Sequence, residues 1–208
     1  SGGARGITAV CALELARRVR PALILLGRSP EPVPEPEWMH SLESEADIKQ
    51  ALLQTEYAAA SAKPVEVERR LKQLLASREV ARTLDAIRSA GAPVAYYAVD
   101  VRDAEQVRFA LEQARTQFGP IRGLIHGAGV IEDRLIADKS MEQFERVFDT
   151  KLNGFRALVA AAGADELKAI VVFSSVTARI GNRGQADYAM ANEALNKLAW
   201  AESQRRPG

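Results

Sequence analysis

Short apolar runs alternate with longer amphipathic segments along most of this chain. Each run ends at a small or polar residue, and the runs occupy residues 22–26, 94–99, 121–126 and 169–173. Such runs are typical of strands buried on both faces of a parallel sheet. Apolar residues at helical spacing predict helices over residues 7–18, 104–118 and 141–162. The alternation predicts an α/β fold with a doubly wound, mostly parallel sheet.

Residues 30–91 interrupt this alternation, because a strand–helix–strand crossover needs only roughly 10–12 residues. The segment opens with a proline-rich link over residues 30–36, and two helical stretches follow over residues 47–61 and 65–90. The second stretch carries an apolar stripe that must pack on something. We predict a helical insertion over residues 30–91 in a domain formed by residues 1–29 and 92–208. A scaffold helix pair is the simpler role for it, and a docking surface is the alternative.

Composition excludes several classes of function. The 208 residues contain 28 Lys and Arg against 27 Asp and Glu, a net charge of +1, which gives no electrostatic reason to expect nucleic acid or a membrane surface as partner. One cysteine excludes an internal disulfide, and with two histidines we expect no metal site. No apolar run approaches the roughly 20 residues of a membrane span, and no signal peptide is visible. We therefore expect a cytoplasmic protein.

The ends of the chain suggest a piece of a longer protein. The chain opens inside a glycine-rich turn and stops directly after a helical stretch. We accordingly expect that N-terminal and C-terminal strands of the sheet are missing from it.

The opening turn has the features of a phosphate-binding loop. Glycines let the backbone approach a pyrophosphate closely, and the N–H groups at a helix start point toward it. A plain tight turn is the alternative when the motif is taken alone. The predicted cofactor-binding residues of the turn are Gly2, Gly3, Arg5, Gly6 and Ile7.

The strand ends indicate which cofactor the turn would bind. An NAD site usually has an acidic residue at the end of the strand that follows the glycine-rich turn and its helix. This chain has Arg28 and Ser29 at that position. Together with Arg5 they suit a 2′-phosphate, which predicts NADPH. Asp100 and Val101 would meet the adenine, with the carboxylate near the exocyclic amine. The small residues of the next strand end complete the predicted cofactor site: Gly127, Ala128 and Gly129.

A serine, a tyrosine and an asparagine carry the candidate chemistry. Ser175 lies 13 positions before Tyr188, and Asn192 follows one helical turn after the tyrosine. Reducing a ketone needs a proton donor beside the developing alkoxide, and a phenol is a poor acid at neutral pH without a nearby cation. The serine hydroxyl can polarise the carbonyl.

These motifs together resemble the short-chain dehydrogenase/reductase superfamily, whose marks are TGxxxGxG, NNAG, a serine and YxxxK. The chain has SGGARGIT at its start, HGAG at residues 126–129, Ser175, and YAMAN at residues 188–192. The resemblance implies a Rossmann-type fold and covers residues 1–29 and 91–200.

Two departures from that pattern narrow the resemblance. Thr8 replaces the last glycine of the turn, and Asn192 stands where the lysine is expected. Lys151, however, stands where those enzymes carry an asparagine, so the two residues have traded places. This exchange is similar to the ketoreductase domains of modular polyketide synthases and related fatty-acid megasynthases. Residues 76–80 and 83–87, with the Trp-bearing link, also resemble ketoreductases of bacterial polyunsaturated fatty-acid synthases.

The resemblance implies a substrate, partners and roles. The substrate would be a β-ketoacyl thioester on the phosphopantetheine arm of an acyl carrier protein, among neighbouring synthase domains, with NADPH as hydride donor. Tyr188 would donate the proton and Ser175 would hold the carbonyl oxygen. Lys151 would make the tyrosine a stronger acid and hold the nicotinamide ribose, while Asn192 would orient Lys151 or complete a proton relay. The alternatives are a free-standing reductase of a small ketone or coenzyme A thioester, and a catalytically silent structural half-domain.

The same resemblance bears on stereochemistry. Ketoreductases of this kind are sorted by a tryptophan eight residues before the tyrosine or by Leu-Asp-Asp in a loop that here reads Ile131-Glu132-Asp133. Position 180 is Ile, so the tryptophan is absent and the loop is close to the second mark. We expect a 3R hydroxyacyl product.

Overall fold

The computed structural model describes residues 1–58 and 63–206. Its strands are β1 (Leu23–Gly27), β2 (Val94–Ala98), β3 (Gly123–His126) and β4 (Ala169–Val172). Its α-helices are α1 (Gly6–Val19), α2 (Glu45–Thr55), α3 (Pro64–Ser89), α4 (Ala104–Phe118), α5 (Met141–Ala161), α6 (Thr177–Ile180) and α7 (Ala186–Arg205). Single 3-10 turns occur at Glu37–Met39 and Ile136–Asp138. The predicted helix over residues 47–61 ends at Thr55, and residues 59–61 lie outside the described part.

The four strands form two parallel pairs on either side of the first two residues. β1 pairs with β2, and β3 pairs with β4. Gly2 N donates to Leu26 O of β1 at 2.8 Å, while Gly127 N, at the end of β3, donates to Ser1 O at 3.0 Å. The spatial order is therefore β2, β1, residues 1–2, β3 and β4. The predicted Rossmann-type α/β architecture with parallel strands is confirmed.

Helices cover both faces of the strands. Leu25 and Leu26 are adjacent in β1 and point to opposite faces, because side chains alternate along a strand. Leu26 packs with α4 and α5 in a cluster that includes Val107, Leu111 and Leu158. Leu25 packs with α1 and α3 in a cluster that includes Ala12, Ala16, Val80, Leu84 and Ile87. The sheet is thus doubly wound, as the uninterrupted apolar strands predict.

Helix α3 belongs to two cores at once. Its first half packs against α2 and the 3-10 turn at Glu37–Met39, in a cluster of Met39, Ile48, Leu52, Val67, Leu71 and Leu74. Its second half packs against α1 and β2 and thereby serves as the crossover helix between β1 and β2. The division into residues 1–29 with 92–208 and an insertion over 30–91 stays a prediction, and the second half of α3 lies within the sheet's own core.

Buried Arg78 fastens the proline-rich link to α3. Its guanidinium donates to both carboxylate oxygens of Glu35 at 2.7 Å and to Met39 O at 2.7 Å. A buried cation is stable only with an opposite charge and with acceptors for its N–H groups, so these hydrogen bonds fix the link against the helix. Across the described residues, no helix is long and apolar enough to cross a membrane.

Candidate active site

A cavity of about 600 Å³ opens where β1, β3 and β4 end. Ligands of doubly wound sheets bind at this edge, beyond the carboxyl ends of the strands. The predicted site residues that line the cavity are Gly2, Arg5, Gly6, Ile7, Arg28, Ser29, Val101, Gly127, Ala128, Gly129, Lys151 and Tyr188. Gly3, Asp100 and Ser175 each follow a lining residue in the sequence, and Asn192 is bonded to the backbone of the lining residue Tyr188.

Close packing between the opening turn and the loop after β3 requires glycine at two positions. A Cβ on Gly2 would lie 2.9 Å from Ala128 N, and the residue has a positive φ of 72°. A Cβ on Gly127 would lie 2.4 Å from Thr8 Oγ1. Real side chains do not approach this closely, so the two glycines let the opening turn and the loop after β3 pack directly against each other beside the cavity. Gly3 is buried, and a Cβ on it would lie 3.0 Å from the Leu25 side chain.

The phosphate end of the cavity contains an ion pair that the sequence does not predict. Arg5 Nε donates to Glu79 Oε2 of α3 at 2.6 Å, and Gly6 N donates to Glu79 Oε1 at 2.8 Å. Arg28 also lines the cavity and is exposed, and Ser29 O accepts from the Tyr96 hydroxyl at 2.6 Å. Two of the residues predicted to bind a phosphate, Arg5 and Gly6, are therefore both bonded to one carboxylate.

Asp100 is engaged by its neighbour Arg102. Arg102 Nη2 donates to Asp100 Oδ2 at 2.7 Å, and the backbone N of Arg102 donates to Asp100 Oδ1 at 3.0 Å. The Arg102 guanidinium holds the pKa of Asp100 below its ordinary value. Asp100 lies between the lining residues Val99 and Val101, and its role toward adenine stays a prediction.

Lys151 is a buried cation on α5. Only 3% of the residue is exposed, and Nζ donates to Phe173 O, just beyond β4, at 2.6 Å. Burial lowers the pKa of Lys151 from its ordinary 10.5 to about 8. Nζ lies 5.9 Å from the centre of the Tyr188 ring. The ammonium therefore lies near the tyrosine ring although it comes from α5, the helix before β4, and its role toward the phenol stays a prediction.

His126, which the sequence predictions did not include, holds the turn of α5 that carries Lys151. Its Nε2 lies 3.0 Å from Lys151 O and its Nδ1 lies 2.8 Å from Ser1 Oγ. Burial, reinforced by nearby positive charge that includes Lys151, lowers the pKa of His126 to about 3. The ring is neutral, so Nε2–H donates to the carbonyl and Nδ1 accepts from the serine. The signal for this role was HGAG itself, in which His replaces the first Asn.

Tyr188 and Asn192 share one face at the start of α7. Asn192 Nδ2 donates to Tyr188 O at 2.8 Å. Asn192 is fully buried, and among the described residues its Oδ1 has no hydrogen-bond partner. A buried amide oxygen without a hydrogen-bond partner lowers the stability of the fold, so this oxygen is a candidate acceptor for a donor that comes with the substrate, the cofactor or a rearranged side chain.

Ser175 follows β4 and sits in a local hydroxyl cluster. Its Oγ accepts from Thr177 N at 3.2 Å and from Thr177 Oγ1 at 2.9 Å. The hydroxyl hydrogen of Ser175 therefore remains available to donate. The preceding residue, Ser174, lines the cavity and its hydroxyl lies 3.4 Å from Asn192 O.

A buried ion pair joins the start of α7 to the loop at residues 131–139. Lys139 Nζ donates to Asp187 Oδ2 at 2.6 Å and to Glu132 O at 2.6 Å, and Lys139 and Asp187 side chains are 3% and 1% exposed. Asp187 Oδ1 also accepts from Tyr188 N at 2.9 Å. Sequence reasoning missed this pair, although a charged residue directly before the tyrosine was a signal. The pair positions the helix turn that carries the tyrosine.

The arrangement fits a nicotinamide dinucleotide. The glycine-rich turn at the start of α1 suits a pyrophosphate, because the backbone N–H groups of a helix start point at such a ligand. At the other end, the buried ammonium of Lys151 can donate to the hydroxyl groups of a ribose, and the Tyr188 phenol can donate to a substrate carbonyl.

Comparisons with known proteins place these observations in context. The KR domain family matches residues 1–207. A polyunsaturated fatty acid synthase polypeptide of Thraustochytrium sp. is 37% identical over 206 residues, which cover 95% of this chain and 7% of that protein. An N-terminal ketoreductase from the macrolactin assembly line has a TM-score of 0.73 at 28% identity, covering 100% of this chain and 34% of that chain. A ketoreductase domain from the bacillaene assembly line has a TM-score of 0.67 at 30% identity, covering 99% and 40%.

The chain thus spans only a small part of the synthase polypeptide it resembles and about a third of the first of these structures. The matches confirm the resemblance to ketoreductase domains that the sequence motifs indicate.

Proposed function

We propose that this chain, which belongs to the KR domain family, reduces a β-ketoacyl thioester to the β-hydroxyacyl thioester with NADPH. The single observation that carries the proposal is the buried ammonium of Lys151 beside the Tyr188 ring, at the wall of a cavity whose other end is the glycine-rich turn. That is the pairing of acid and cation which ketone reduction requires.

The opening turn and the loop at residues 127–129 would hold the cofactor's pyrophosphate, and Lys151 its nicotinamide ribose. When bound, the cofactor supplies a hydride to the β-carbon of the substrate. Arg5, Arg28 and Ser29 support NADPH rather than NADH, because guanidinium groups bond a 2′-phosphate by charge-assisted hydrogen bonds.

Tyr188 gives its O–H proton to the carbonyl oxygen, which takes up the electron pair of the C=O π bond as the β-carbon is reduced. Ser175 donates a hydrogen bond to the same oxygen, which supports its growing negative charge. Lys151 then faces a phenolate and stabilises it, because opposite charges attract strongly in a buried site. Asn192 Oδ1 is the acceptor that would orient the lysine, since its oxygen lacks a partner among the described residues.

The partners proposed are an acyl carrier protein bearing the substrate and the neighbouring domains of a polyketide or polyunsaturated fatty-acid synthase in the cytoplasm. Support comes from the resemblance to a fatty-acid synthase polypeptide and to assembly-line ketoreductases. The loop at residues 131–139 is tied to the start of α7 by Lys139 and Asp187. It therefore lies beside Tyr188, where it can shape the substrate's approach, and we retain the 3R product.

The test uses NADPH and a synthetic β-ketoacyl pantetheine thioester. NADPH fluorescence should change saturably on binding, and its absorbance should fall when the thioester is added. Chiral chromatography should then find mainly 3R product. A folded chain that binds no NADPH would instead be a structural half-domain, and one that reduces small ketones but not the thioester would be a free-standing type of reductase.

A further inference from the structure

Helix α3 places a carboxylate in the cavity where a cofactor phosphate is expected. Glu79 bridges two donors of the opening turn, with Arg5 Nε at 2.6 Å and Gly6 N at 2.8 Å. The glutamate comes from the segment predicted as an insertion, 74 residues from Arg5 along the chain. It is itself a lining residue of the cavity.

Both donors are well suited to an anion, because one is a guanidinium and the other is a backbone N–H at a helix start. Gly6 is the first residue of the 14-residue helix α1, where free N–H groups and the helix dipole favour negative charge. The first turn of α1 has no acidic residue, and its N-cap residue Arg5 makes no side-chain capping bond. Glu79 therefore supplies from another helix the negative charge that α1 lacks.

Burial raises the pKa of Glu79, but the hydrogen bonds from Arg5 and from Gly6 N outweigh it and hold the pKa below its ordinary value. The group is an anion at neutral pH. An anion on these donors and a phosphate on the same donors exclude each other, because each N–H can serve one strong acceptor and like charges repel.

The glutamate can leave without moving its helix. Its side chain is 42% exposed, so it can turn outward into water. The neighbouring residue Val80 is fully buried in the core cluster on α1, and Leu84 one turn later is 4% exposed. The backbone of α3 is consequently fixed, and only the side chain needs to rotate.

We propose that Glu79 is an internal competitor for the phosphate site, which the cofactor displaces when it binds and which thereby sets the affinity for NADPH. The proposal rests on the function proposed above. It gives the second half of α3 a part in cofactor selection in addition to its packing.

The experiment is equilibrium titration of the whole chain with NADPH and with NADH, followed by cofactor fluorescence. Glu79→Gln keeps size and helix propensity but removes the charge. The matched control is Glu68→Gln, on the same helix, where the carboxylate pairs with Lys49 of α2. Thermal unfolding of all three proteins checks that the fold is kept.

Glu79→Gln should bind NADPH about 3–10-fold more tightly, the combined size of one exposed ion pair and one helix-terminus charge. Glu68→Gln should bind as the unaltered chain does. A larger gain for NADPH than for NADH, which we expect, assigns the competition to the 2′-phosphate, and an equal gain assigns it to the pyrophosphate.

Unchanged or weaker NADPH binding by Glu79→Gln, with normal binding by the unaltered chain, would overturn the inference and leave the proposed function standing. Weaker binding would mean that Glu79 positions Arg5 for the phosphate instead of competing with it. Failure of all three folded proteins to bind NADPH would overturn the proposed function, and this inference with it.

Discussion

The two ends of the cavity handle charge in opposite ways. At the catalytic end, Lys151, Lys139 and Asp187 are almost entirely buried and their partners are already in place. At the phosphate end, Arg5 and Glu79 are 50% and 42% exposed. Both ends bring together groups of opposite sign, yet only one of them does so away from water.

The difference has a physical meaning. Breaking a buried pair leaves an uncompensated charge, whereas an exposed pair contributes little and exchanges partners easily. The catalytic end is therefore preorganised, and the phosphate end is able to exchange a side-chain anion for a ligand anion. Substitutions at the catalytic end should lower the rate or the stability strongly, while those at the phosphate end should change cofactor affinity or preference and leave the fold intact.

Removing the phenol at the catalytic end should have the largest effect. Tyr188→Phe deletes the proton donor with little change in volume, and loss of general acid catalysis costs roughly 10²–10⁴-fold in rate. NADPH affinity should stay within about twofold, since the phenol is not among the phosphate donors. Single-turnover reduction of the thioester measures the rate, and titration with NADPH measures the affinity.

The matched control is Tyr97→Phe, which removes a phenol from β2 and should leave the rate nearly unchanged. Retention of more than a tenth of the rate by Tyr188→Phe would contradict the assigned role.

The buried pair beside the tyrosine should give the next largest effect, on stability. Asp187→Asn keeps an oxygen for Tyr188 N but leaves the Lys139 ammonium with a carbonyl as its partner. Breaking a buried pair costs about 3–5 kcal/mol, so urea unfolding should show a loss of that order.

The control for that pair is Asp133→Asn, whose exposed carboxylate accepts from Gln185 at 2.9 Å. It should lose less than about 1 kcal/mol, because exposed polar contacts contribute little. Equal losses in the two variants would show that burial does not distinguish this end of the cavity.

At the phosphate end, Arg28→Ala should change cofactor preference while leaving the fold intact. Charge-assisted hydrogen bonds contribute about 1.5–3 kcal/mol, so the ratio of NADPH to NADH in kcat/KM should fall roughly 10–100-fold. Arg122→Ala, at the amino end of β3, should leave the ratio unchanged. A preference for NADH in the unaltered chain would refute the assignment of Arg5, Arg28 and Ser29 to a 2′-phosphate.

Sequence reasoning succeeded where the determining contacts are local. The helix predicted over residues 104–118 is α4 to the residue, because Asp103 caps it and Gly119 follows its end. Tyr188 and Asn192 lie one turn apart on one helix, so their spacing alone places them together. The exchange of Lys151 with Asn192 was also visible, since each residue stands at a motif position of its own.

Sequence reasoning failed where the contacts join residues that are far apart in the sequence. Glu79 and Arg5 are 74 residues apart, and Lys139 and Asp187 are 48 apart. Nothing in either segment's periodicity shows that an ion pair forms. The predicted insertion concealed the crossover helix for the same reason. The residues of α3 that face α2 and those that face α1 lie on one continuous apolar stripe, and only the packing separates the two cores.

The smallest of these effects, and the one most specific to burial, is the pH dependence of the catalytic end. Burial lowers the pKa of Lys151 to about 8. Its ammonium is therefore present at pH 7 and is lost as the pH rises through 8. If the ammonium is needed to stabilise the phenolate, kcat/KM for NADPH should fall above pH 8 and approach a tenfold loss per pH unit. An exposed lysine would keep its charge to a pH near 10 and would show no such limb.

Lys151→Arg distinguishes this limb from the titration of other groups. A guanidinium stays charged throughout the range, so the variant, although slower, should show no loss near pH 8. NADPH itself cannot cause the limb, since its phosphates are already fully ionised near pH 8. Bound NADPH brings negative charge near Lys151 and should raise the pKa of the lysine. The fall in kcat at saturating NADPH should therefore occur at a higher pH than the fall in kcat/KM. A limb that persists in Lys151→Arg would assign it to another group, and the buried ammonium would then have no part in setting the rate.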